Sequence, residues 1–81
     1  MTAKELIKHL MTQKNVSNAE MANSLEISQA ALWDRLNPKK TNNMTVSVMN
    51  KMLGILGYKI AIIPVDAVLP EEGFVLEGKE V

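Results

Sequence analysis

Apolar residues recur three and four positions apart along most of this chain, and that period predicts helices. Ala3, Leu6, Ile7, Leu10 and Met11 share one face of a helix running to about Gln13. Thr2 is placed to cap it, with Glu5 three residues on at the capping-box spacing. Ser17 and Glu20 repeat that spacing before a second, shorter helix whose apolar face is Met21, Ala22 and Leu25. Glu26 and Ile27 make a tight turn, with Ile27 expected to point inward. Ser28 is a further N-cap candidate, and Leu32 and Leu36, four apart, share a face of the third helix. Pro38 disfavours helical geometry at Asn37, so that helix ends there. After the polar stretch 37–43, Thr45 caps a fourth helix from Val46 to about Leu56. Its apolar face is Val46, Met49, Met52, Leu53 and Leu56, and Gly57 suits a left-handed C-cap. Gly54 lowers the helix propensity of this segment and predicts a close neighbour.

Beyond Gly57 the period changes. Residues 58–65 are rich in β-branched side chains and read as a strand, with Pro64 confined to an edge or a strand end. Residues 67–69 and 74–77, joined through Pro70-Glu71-Glu72-Gly73, suit a hairpin. A lone strand or hairpin is marginal in water, and the nearest partner is the same segment of a second copy, paired across a two-fold axis. The expectation is therefore a mainly α bundle of four to five short helices over 1–57, with a C-terminal strand or hairpin extension over 58–81. Tyr58, Ile60, Ile62 and Ile63 would form a homodimer interface in that extension.

Eighty-one residues give one domain, expected to be a complete small protein. Six Met and few aromatics predict an adaptable aliphatic core. The absence of Cys removes disulfides, thiolate metal sites and cysteine nucleophiles. No apolar run approaches the ~20 residues needed to span a bilayer, and no signal-peptide core precedes the first helix, so no membrane association and a cytoplasmic location are expected. His9 shares a helix face with Glu5, but two ligands do not fix a metal. No Gly-rich phosphate loop precedes a helix. The chain reads as no enzyme, without metal or cofactor. Net charge is zero, yet residues 1–60 carry eight basic groups against four acidic ones, and 61–81 carry one against five. The helical part could attract phosphate while the tail repels it; equally, the acidic tail could serve only solubility.

The run Ser17–Asn37 resembles the helix-turn-helix of the lambda-repressor-like (Cro and XRE) family of phage and bacterial regulators. That family's pattern is x-L-A-x-x-L-x-I/V-S-x-x-x-I-x-x-x-L-N-G. Met21-Ala22, Leu25, Ile27-Ser28, Leu32 and Leu36-Asn37 stand at its positions here. The chain departs from it at Glu26, where the turn usually has Gly, at Arg35, where an apolar residue is common, and at Pro38, in place of Gly. The likeness spans 1–57, and endings like Leu56-Gly57-Tyr58-Lys59-Ile60 occur in relatives whose strands build dimer interfaces.

What the resemblance implies is a sequence-specific regulator that binds double-stranded DNA as a homodimer on a pseudo-palindromic operator. The helix opening at Ser28 would enter the major groove. Gln29 could pair bidentately with adenine, Ala30 could touch a thymine methyl, and Ser28 could reach a base edge or a phosphate. Trp33 could contact bases or pack over the fourth helix. Asp34 could accept from cytosine N4, or pair with Arg35 or Lys39. Ser17, Asn18, Lys39, Lys40 and Asn42 would meet phosphates. A second class stays open: an antitoxin or other protein-interaction module whose C-terminal strands add to a partner's sheet.

Overall fold

A computed structural model describes residues 2–40 and 44–76. Four helices form where side chains satisfy the first backbone donors: α1 (Ala3–Lys14), α2 (Asn18–Ser24), α3 (Gln29–Leu36) and α4 (Val46–Ile55). The Thr2 hydroxyl accepts from the Glu5 N–H at 3.1 Å, and the Thr2 N–H donates to the Glu5 carboxylate at 2.9 Å. Ser17 and Glu20 make the same reciprocal pair at 3.1 and 3.0 Å. Ser28 accepts from the Ala31 N–H at 3.0 Å, and Thr45 from the Val48 N–H at 3.1 Å. All four caps are strictly local, which is why residue types three apart announce them.

Three of the helices also end alike. Asn15, Glu26 and Gly57 take left-handed backbone angles, with φ of 60°, 58° and 85°. The residue after each donates back across the turn: Val16 to the Met11 carbonyl at 2.9 Å, Ile27 to Ala22 at 3.0 Å and Tyr58 to Leu53 at 2.8 Å. Val16, Ile27 and Tyr58 are each partly buried against the core, supplying the apolar contact that accompanies this closure. α3 ends differently. Asn37 is extended ahead of Pro38, whose ring excludes the helical conformation from its predecessor.

α1 packs on α3 and α4, and α2 packs on the same pair. Ile7, Leu10, Met21, Leu32, Met49 and Met52 are fully buried at the centre. Unbranched Met side chains adapt to the irregular space between short helices. Every buried side chain among the described residues is apolar.

α4 departs from expectation at two positions. Val46 opens the helix and is 58% exposed, while Val48, four residues before Met52, takes the inward place. Gly54 has no close neighbour: nothing stands within 4 Å of where a Cβ would be. The position is open, so the glycine there only lowers helix propensity. Gly54→Ala is therefore expected to stabilise the fold by up to about 1 kcal/mol, read as a raised denaturant midpoint at unchanged slope.

The C-terminal extension also differs. No strand occurs among the described residues. One chain offers residues 58–64 no ladder partner, and Pro64 and Pro70 carry no N–H to donate. Reverse turns stand instead, closed by Ala67 N–H to the Pro64 carbonyl at 3.0 Å and Gly73 N–H to the Pro70 carbonyl at 2.9 Å. The second turn is where the hairpin was expected, but its arms do not pair, and Glu77 lies outside the described residues.

The chain then folds back, setting Phe74 and Leu76 against the helical core. The Phe74 ring lies 6.1 Å from the Tyr58 ring and edge-on to His9 at 5.9 Å. Lys14 holds its ammonium 5.8 Å from the centre of the Tyr58 ring. Tyr58 is thus engaged within its own chain, unlike the expected interface residues Ile60, Ile62 and Ile63, which are all exposed, Ile62 almost completely. No helix among the described residues is long and apolar enough to cross a membrane.

Candidate nucleic-acid interface

Leu32 and Leu36 are buried, and that choice of face turns the rest of α3 outward. Gln29, Ala30, Trp33 and Asp34 are all exposed, as is the capping residue Ser28. Gln29 and Trp33 lie one turn apart, and so do Ala30 and Asp34, giving two adjacent columns. Among the described residues, nothing covers Ser28, Gln29 and Ala30 at the first turn. The Ser28 hydroxyl oxygen already accepts from the Ala31 N–H, which leaves its own proton as the group it can offer outward.

Trp33 is 61% exposed and edges a cleft of about 800 Å³ formed by the end of α1, the start of α2 and the end of α3. Ser17 and Asn18 line that cleft too, so the structure brings Trp33 together with two of the expected phosphate residues. The Ser17 backbone N–H is taken by the Glu20 carboxylate. That bond, with a smaller share from the Ser17 hydroxyl contact, holds the Glu20 carboxyl below the usual carboxylate range.

Lys39 and Lys40 are exposed in the loop after α3, and Asn42 lies outside the described residues. Residues 37–40 are tied together by hydrogen bonds. The Asn37 side-chain oxygen accepts from the Lys39 N–H at 3.0 Å, and the Asn37 carbonyl accepts from the Lys40 N–H at 3.1 Å. The Lys4 ammonium donates to the Asn37 carbonyl at 2.6 Å and also to the Lys40 carbonyl. Lys4 is the residue that sequence reasoning missed. It lies more than 30 positions away along the chain, and no spacing rule links the start of α1 to the end of α3.

No family model, curated protein or solved structure matches this chain. The likeness to lambda-repressor-like proteins therefore stays one of local sequence.

Proposed function

We propose that this chain is a sequence-specific double-stranded DNA-binding regulator of the Cro/XRE type. The observation that supports it best is the uncovered first turn of α3, where Gln29 and Ala30 face outward while Leu32 and Leu36 anchor the same helix from behind. A helix held in this way can lie in the major groove with its N-terminal residues against base edges. Exposed Lys39 and Lys40 just beyond it suit the flanking phosphates. The regulator acts as a homodimer on a two-fold site, joined through the exposed residues Ile60, Ile62 and Ile63, and does no chemistry of its own.

A salt titration against random duplex tests the reading. Micromolar affinity at low salt that falls with added salt, at a slope set by roughly five phosphate contacts, is the expected result. Undetectable binding at low salt would remove the reading. The second reading, a protein-interaction module such as an antitoxin, draws support from Ile62, Val65 and Val68. These are almost fully exposed on a segment whose backbone could add to a partner's sheet.

A further inference from the structure

We infer that Lys4 is a positioning residue for DNA binding: by bridging the Asn37 and Lys40 carbonyls, it sets where Lys39 and Lys40 stand relative to α3. The inference rests on the DNA-binding reading above and adds a residue outside its contact set on which two of its phosphate contacts depend. Lys4 is the second residue of α1, at the positive end of that helix's dipole, where a cation is disfavoured. Its ammonium lies instead on the Asn37 carbonyl, at the negative end of α3, where a cation is favoured. The placement is poor for its own helix and good for one whose end lies 33 residues away.

Asn37 is where the bonds of this corner converge. Pro38 ends α3 there, and the chain turns through 37–40. Two bonds shape that turn from inside: Lys39 N–H to the Asn37 side-chain oxygen and Lys40 N–H to the Asn37 carbonyl. Neither aims it from the helical body. The two Lys4 bonds come from a separate helix and supply that direction. Two of the three ammonium donors are spent on these carbonyls, which makes Lys4 a support for the loop instead of a phosphate ligand. Lys4→Met keeps most of the side-chain length and removes the donors. The Asn37 carbonyl still accepts from the Lys40 N–H in that variant, so no backbone acceptor there is orphaned.

The test is a mutant cycle on random duplex over a salt series: wild type, Lys4→Met, Lys39→Gln/Lys40→Gln, and all three changes together. Circular dichroism confirms that each protein is folded. Lys4→Met should weaken binding by about 3- to 10-fold, the scale of one or two lost hydrogen bonds, and flatten the salt dependence. In the Lys39→Gln/Lys40→Gln background the same change should cost under about 2-fold, because the groups it positions are gone. Without DNA, the Lys40 amide should exchange its hydrogen about 3-fold faster or more in Lys4→Met, at an unchanged rate for Leu32.

An equal loss in both backgrounds would mean that Lys4 acts through its own charge or its own phosphate contact, overturning the proposal while leaving the regulator reading intact. No loss from Lys4→Met, or none from Lys39→Gln/Lys40→Gln, would also overturn it, as would unchanged exchange at Lys40. Lys4→Gln is the second replacement; if neither it nor Lys4→Met folds, Lys4 serves the fold at large and the proposal falls. Failure of the wild type to bind random duplex at low salt would remove the regulator reading and this inference with it.

Discussion

Leu32→Ala is expected to cost about 2–5 kcal/mol of folding stability. Leu32 is completely buried where α3 meets α1 and α2, so truncation removes its transfer free energy and leaves a void that short helices close only in part. A chain of this size has a total stability of roughly 4–12 kcal/mol, so the change takes a large share of it. Urea unfolding followed by helical circular dichroism should show a lower midpoint with little change in slope. Ile62→Ala, at an almost fully exposed position, is the control and should move the transition by under about 0.5 kcal/mol at concentrations where the chain is monomeric. Equal effects would mean that α3 is not docked through Leu32.

Gln29→Ala is the largest expected change in binding, about 1–3 kcal/mol on a selected duplex and almost nothing on random DNA. The asymmetry follows from chemistry. A bidentate amide contact to adenine exists only on the right sequence, whereas phosphate contacts are the same on every sequence. Because Gln29 is exposed, its truncation should leave the unfolding transition within about 0.5 kcal/mol of wild type, so a loss of binding is not a loss of fold. Dissociation constants of both proteins on both duplexes at one salt concentration decide the matter. An equal loss on random and selected DNA would show that Gln29 does not read a base.

What the sequence makes legible here is what short-range chemistry determines. Thr2, Ser17, Ser28 and Thr45 mark their helix starts because a cap bonds to an amide two or three residues away. Glu26 stands in the turn position the family gives to Gly and does take the left-handed conformation, held there by the Ile27 bond back to Ala22. The outward set on α3 follows from the burial of Leu32 and Leu36 four residues apart.

The less legible features depend on long-range geometry. The folding back of Phe74 onto His9 and Tyr58 joins residues far apart in the chain, and no periodicity encodes it. The β-branched run 58–65 signals a preference for extended backbone but cannot supply a second strand. Gly54 and Val46 mislead for one reason: a residue type at the right spacing suggests a neighbour that only the arrangement of the other helices can provide.

Lys4 illustrates how charge tallied along a chain differs from the electric field the molecule presents. Its ammonium is turned onto the carbonyls of Asn37 and Lys40, and Lys14 lies over the Tyr58 ring, so both ammonium groups are engaged within the chain. The cations on or beside the proposed recognition surface are then Lys8, Lys39, Lys40 and the half-buried Arg35, a narrower set than eight basic groups suggest. An approaching polyanion would be drawn toward one corner of the molecule and oriented before any base edge is touched, and added electrolyte would weaken that guidance first.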